Sequence, residues 1–172
     1  MSKRAYRRLQ GLMLLSTIVV LWAAFYLQFI GGLKPCPLCL MQRVCSFLFG
    51  MFCLMGLCLS TRSRGRSVAV LQMLFSFAGL FFALRQLWLQ TLPASQVPAC
   101  LPGLEVLIHY FPWHDVLFAL FWGTGDCAEI TWTMLGYSLP AWSTLYFLTM
   151  FFASGLVFFL LRQSMARMNQ RR

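Results

Sequence analysis

Along its length the chain alternates long apolar stretches with short polar or charged ones. Four stretches carry about 20 mostly apolar residues each, the length a helix needs to cross a bilayer. They are 11–30 ("GLMLLSTIVVLWAAFYLQFI"), 40–60, 68–89 and 142–161 ("WSTLYFLTMFFASGLVFFLL"). The pattern predicts an all-α membrane protein, an antiparallel four-transmembrane-helix bundle. So little chain is left outside the spans that residues 1–172 are read as a single membrane domain. The first span is read as an uncleaved helix: its apolar body is long for a signal peptide, and "LQFIGG" lacks a small-x-small cleavage site.

Two connections fall on one side, a short one at 31–39 and a long one at 90–141. In the long one "LPASQVPACLPG" predicts irregular chain. "LEVLIHYF" and "VLFALFW" predict short helices along the membrane surface, too short to span and ending in aromatics suited to the headgroup zone. "GTGDC" predicts a tight turn, and "LPAW" the start of the last span.

Charge adds an orientation. The chain has 14 basic and 4 acidic side chains and a net charge of +10. All the basic residues except Lys34, Arg43 and Arg85 fall in three clusters: Lys3, Arg4, Arg7 and Arg8; Arg62, Arg64 and Arg66; Arg162, Arg167, Arg171 and Arg172. Clusters that flank apolar runs are a topology signal rather than a nucleic-acid surface, so no nucleic-acid partner is expected. Glu105, Asp115, Asp126 and Glu129 lie in the long connection, which has no Lys or Arg. Basic ends inside and acidic loop outside give a multi-pass protein with both termini cytoplasmic. His109 and His114 lie in that loop and are read as solvated or facing headgroups.

The candidate chemistry is cysteine. In "KPCPLCLMQR", Pro37 suits the first position of a helix, which makes Cys36 the N-cap and Cys39 the third helical residue. A sulfur there meets unpaired amides and the positive end of the helix dipole, which favour thiolate. Zinc wants four ligands, and there is no second Cys-x-x-Cys. Redox chemistry is therefore favoured over a metal site or a structural disulfide, and no metal is expected. Cys100 and Cys127, in chain expected to be mobile, fit a structural staple and an exchangeable disulfide equally well. Cys45, Cys53 and Cys58, within the second span, are read as small buried hydrophobes without partners. Arg43 stands one turn below Cys39 on the same helix face. A charge inside a span marks a functional site by default; the competing reading is snorkelling to the headgroups. Arg85 raises the same question near the outer end of the third span.

With these pieces in order, the sequence resembles the DsbB family. The resemblance covers nearly the whole chain and is carried by "KPCPLCLMQR", "RQLWLQTLP", "VPACLPGLE", "GTGDCAE" and "LGYSLPAW". It implies a bacterial inner-membrane thiol:quinone oxidoreductase that reoxidises a periplasmic DsbA-type thioredoxin-fold oxidase, with ubiquinone or menaquinone as acceptor and no oligomer expected. It implies that reduced DsbA attacks a Cys100–Cys127 disulfide at Cys100. Electrons then reach Cys36–Cys39 through a transient Cys36–Cys127 bond, Cys39 faces the quinone, and Arg43 assists quinone binding. Thr91 stands where some members carry a histidine, which leaves that position's contribution open. Two rivals remain: a DsbB-like paralogue serving another thiol partner, and a membrane scaffold whose disulfides are only structural.

Overall fold

A computed structural model describes residues 3–33, 35–58, 62–98, 106 and 109–169. The long helices are α1 (Lys3–Phe29), α2 (Pro37–Cys58), α3 (Arg62–Thr91) and α5 (Leu139–Asn169). Between the last two lie a 3-10 turn (Ala94–Gln96), helix α4 (Trp113–Trp122), a second 3-10 turn (Gly125–Cys127), and strands β1 (Thr133–Met134) and β2 (Tyr137–Ser138). Among the described residues, four helices are long and apolar enough to cross a membrane: α1, α2, α3 from Arg64, and α5 as far as Ser164. The chain is an all-α, multi-pass membrane protein.

The helices run beyond the apolar stretches that announced them, because charged residues continue a helix once it has left the hydrocarbon. α2 begins as the proline predicts: Pro37 is its first residue, and the Cys36 carbonyl accepts the first helical bond, from Leu40 N at 3.2 Å. α5 begins in "LPAW", at Leu139. The most extensive packing is α3 on α5, followed by α2 on α3 and α1 on α2. Close approach of α3 and α5 depends on Gly79, where an added Cβ would lie 2.2 Å from the Phe147 ring. Small residues at such contacts are how membrane helices gain packing energy when lipid offers no hydrophobic drive between them.

The interior is not purely apolar. Gln10 and Gln72 exchange amide hydrogen bonds at 3.2 and 2.7 Å, and Gln72 Nε2 also donates to Cys53 Sγ at 3.1 Å. Cys53 therefore has a partner that its apolar surroundings in the sequence did not suggest. Nearer the other end, the Thr17 and Tyr146 hydroxyls are 2.9 Å apart. Such pairs fix helix register, since an unpaired polar group in this setting is costly.

The long connection is partly as expected. "VLFALFW" forms α4, but its Val116 and Ala119 are buried and it packs on α2. "GTGDC" holds the tight turn at Gly125–Cys127. Half of "LEVLIHYF", and the cysteine of "VPACLPG", lie outside the described residues. An unpredicted hairpin pairs Thr133 with Ser138 and Met134 with Tyr137, turning through Leu135 (φ 53°) and Gly136 (φ 82°).

Candidate functional site

Three sulfurs converge where α2 begins. Cys36 Sγ lies 3.1 Å from Cys39 Sγ, and the Cys36 thiol also lies against Cys127 in the same buried cluster. Cys36 is thus the junction of the cluster. It is 8% exposed and Cys127 is 0% exposed, while Cys39 is half-buried. The six cysteines among the described residues carry free thiols. Cys100, the fourth expected site residue, lies outside the described residues.

Cys127 is not in open, mobile chain as the sequence suggested. α4 docks on α2 and is capped by Gly123, whose N–H bonds to Ala119 O at 3.0 Å. The next turn packs against α2 and α3 and carries Cys127 inward. Its sulfur accepts hydrogen bonds from the Cys36 thiol and from the backbone of Leu38 and Thr124. Leu38 is the second residue of α2, so the helix N-terminus that was expected to serve Cys39 also serves Cys127. These donors lower the Cys127 thiol to about 6, the Cys36 hydrogen bond contributing most. Cys36, whose single S–H faces the sulfurs of Cys127 and Cys39, is correspondingly pushed up and keeps its proton. Of two neighbouring thiols, one is arranged to ionise and the other to stay neutral.

Beside Cys39 a cavity of about 100 Å³ opens among α1, α2, α3 and α5. Its walls include Gln28 of α1, Cys39, Gln42 and Arg43 of α2, Gln86 of α3 and Tyr146 of α5. Arg43 does reach this wall, but its guanidinium is turned to α1. It donates to Gln28 Oε1 and to the Ala24 carbonyl (2.9 Å) and lies 5.1 Å from the centre of the Phe25 ring. Arg85 is elsewhere and does not line the cavity. Its Nε donates to the Trp122 carbonyl at 3.2 Å, and its guanidinium lies over Trp88 and Trp122 at 4.2 and 5.2 Å. It fastens the end of α4 to α3. Thr91 caps its own helix, donating to Trp88 O at 2.7 Å. His114 is exposed and pairs with Asp115 at 2.7 Å, and His109 is exposed as expected.

Sequence reasoning missed Gln42 and Gln86. Gln86 Nε2 lies 3.4 Å from Cys36 Sγ and 3.3 Å from Cys39 Sγ, and Gln42 Nε2 donates to Gln86 Oε1 at 2.8 Å. The available signal was an uncharged amide at membrane depth, which is easily passed over beside Arg43 and Arg85.

A buried cluster of free thiols at the rim of a helical membrane bundle, next to a cavity, defines a membrane protein of thiol–disulfide chemistry. The comparisons place it more closely. The family model described as "Disulfide bond formation protein DsbB" matches residues 6–157. Disulfide bond formation protein B of Stutzerimonas stutzeri (strain A1501) is 42% identical over 137 residues, 79% of this chain and 84% of that protein. Its counterpart in Hahella chejuensis (strain KCTC 2396) is 46% identical over 126 residues, 73% and 76% of the two chains. That of Acinetobacter baylyi (strain ATCC 33305 / BD413 / ADP1) is 43% identical over 145 residues, 83% and 85%. The chain belongs to the DsbB family of disulfide bond formation proteins.

Proposed function

We propose that this protein reoxidises a DsbA-type thiol oxidase, passing two electrons through Cys100–Cys127 and Cys36–Cys39 to a membrane quinone. The observation that carries the reading is the contact of Cys36 with both Cys39 and Cys127, a junction through which one pair can exchange with the other.

The steps follow from thiol–disulfide exchange. A thiolate of the reduced donor attacks Cys100 of the Cys100–Cys127 disulfide, which frees Cys127 as a thiolate. The donor's second thiol resolves the mixed disulfide, so the donor leaves oxidised and Cys100 is left reduced. Cys127, low in pKa and held beside Cys36, attacks Cys36 of the Cys36–Cys39 disulfide and displaces Cys39 as a thiolate. Cys100 then attacks Cys127, which restores the outer disulfide and leaves Cys36 reduced. Cys36 and Cys39 close again as two electrons and two protons leave to the acceptor. A quinone, when bound, supplies that two-electron, two-proton acceptor. The cavity borders Cys39, is lined largely by apolar side chains, and has on its wall Arg43, whose guanidinium has five N–H groups and gives two of them to Gln28 and Ala24. A DsbA-type oxidase sits at about −120 mV, so its reoxidation needs an acceptor of higher potential than the glutathione pool.

Location follows the same reading. The described basic residues at the start of α1, the start of α3 and the end of α5 lie at the end of the bundle opposite to the Cys36–Cys39 end of α2, and Asp126 and Glu129 flank Cys127 in the chain. In a bacterial inner membrane the excess of basic residues on the cytoplasmic side supports both termini in the cytoplasm and the thiols at the periplasmic face. There disulfides persist and a water-soluble donor can approach.

The test is to mix purified protein with a reduced DsbA-type partner and ubiquinone and to follow quinone absorbance. Reduction that is lost in Cys39→Ala, with a Cys100-linked partner trapped when the donor's second cysteine is replaced by serine, supports the proposal. No reduction, or full activity in Cys39→Ala, refutes it.

A further inference from the structure

Two neutral amides stand where the thiols face the bundle interior. Gln42 is 6% and Gln86 4% exposed, so both need partners. The amino group of Gln86 has Cys36 and Cys39 sulfur at 3.4 and 3.3 Å; its oxygen takes the 2.8 Å bond from Gln42 and lies 3.5 Å from Cys39 Sγ. The guanidinium of Arg43, the nearest cation on α2, is committed to Gln28 and Ala24 of α1.

We propose that Gln86 sets the reduction potential of the Cys36–Cys39 pair, and that Gln42 is the positioning residue that holds the Gln86 amide in place. The inference rests on the redox reading above. A reduced sulfur, above all a thiolate, is a far better hydrogen-bond acceptor than a disulfide sulfur. A donor aimed at both sulfurs therefore stabilises the reduced pair more than the oxidised one. Stabilising the reduced form makes the disulfide a stronger oxidant, which is what a pair receiving electrons from the outer cysteines requires. An amide does this without a charge, whose burial at this depth would be costly. Because an amide also accepts, Gln86 can serve a protonated Cys39 through its oxygen. The Gln42 bond keeps the group from rotating away.

The measurement is the equilibrium of the full-length, quinone-free protein with glutathione, in which the Cys36–Cys39 disulfide and two glutathione thiols give two cysteine thiols and glutathione disulfide. Alkylation and mass mapping of the peptide that holds Cys36 and Cys39 read the extent. Gln86→Leu is expected to shift the constant about tenfold toward the cysteine disulfide, about 30 mV more reducing. Gln86→Glu, which keeps the size but loses the donor, shifts it at least as far. Gln42→Leu shifts it about threefold and adds nothing in the Gln86→Leu background, since coupled residues are not additive. Gln72→Leu removes the other buried amide pair and should lower the melting temperature while leaving the constant unchanged. A constant within twofold of the unsubstituted protein in Gln86→Leu and Gln86→Glu overturns the inference, as does an equal shift in Gln72→Leu. Should Gln86→Leu not fold, Gln86→Glu and Gln42→Leu decide the matter. If the unsubstituted protein forms no reversible Cys36–Cys39 disulfide, the proposed function itself fails. If it does form one and the variants are silent, only the role of Gln86 fails.

Discussion

Replacing Gly123 with alanine should undock Cys127 while leaving the four long helices in place. Gly123 has φ 82° and ψ 166°, a region open essentially to glycine alone, where another residue stores about 1–3 kcal/mol. Its Cβ would also lie 2.7 Å from Leu38 Cδ1 and 2.9 Å from Leu89 Cδ1, both on fully buried side chains. Overpacking of that kind typically costs about 1–3 kcal/mol more. The sum, about 2–6 kcal/mol, falls on a local unit, α4 and the turn after it, which opens more readily than the bundle. Even the lower bound raises the open population about 30-fold, at 1.4 kcal/mol per factor of ten. The assay is maleimide modification of the fully reduced protein, read residue by residue by mass spectrometry, with exposed Cys58 as the internal reference. Cys127 should react at least about 30-fold faster than in the unsubstituted protein, with the helical circular dichroism and its melting little changed. Gly136→Ala is the control: its φ is also 82° but a Cβ there meets nothing within 4 Å, and Cys127 should stay protected. A Cys127 rate within about threefold of the unsubstituted protein in Gly123→Ala would refute the claim that this glycine holds the loop sulfur in place.

Further outcomes follow from the same geometry. With the Cys127 thiol lowered to about 6 from 9.0, the undocked loop binds more protons than the docked one between those values. Docking should therefore strengthen as pH rises from about 6 toward 9 and lose this contribution below 6; the raised Cys36 keeps its proton throughout and does not offset it. Cys127 protection that falls from pH 5 to pH 8, measured with rates corrected for thiolate fraction, would contradict this. Arg43→Met should raise the KM for quinone about tenfold or more through loss of its place on the cavity wall, whereas Arg85→Ala should leave that KM unchanged and loosen α4 by about 1 kcal/mol through its lost stacking on tryptophan. Quinone titrations of the two variants separate these roles, and equal effects on KM would show that the cavity boundary is misdrawn.

What the sequence made legible is what depends on local chemistry. Hydropathy gave the four spans, and Pro37 gave the register of α2, with Cys36 as its cap. The sequence was silent where distant segments meet. Nothing near Cys127 says that its sulfur will sit on the Leu38 amide, because that position is set by α4 docking on α2. The two-residue strands are too short to leave an alternating pattern, although "LG" at 135–136 marks their turn. Gln86 was overlooked because charge draws attention at membrane depth and an amide does not. Arg85, which did draw it, turned out to hold α4 to α3.

The position of Cys127 on the first amides of α2 also imposes an order of events. As a thiolate this sulfur is held by the Cys36 thiol first and by the helix end as well; tied into a disulfide it carries no charge and that part of the hold is gone. On the proposed route the loop is then held by the packing of α4 and Gly123 alone while it waits for a donor, and is held harder once electrons have arrived. The helix terminus works as a latch that tightens on a loaded carrier.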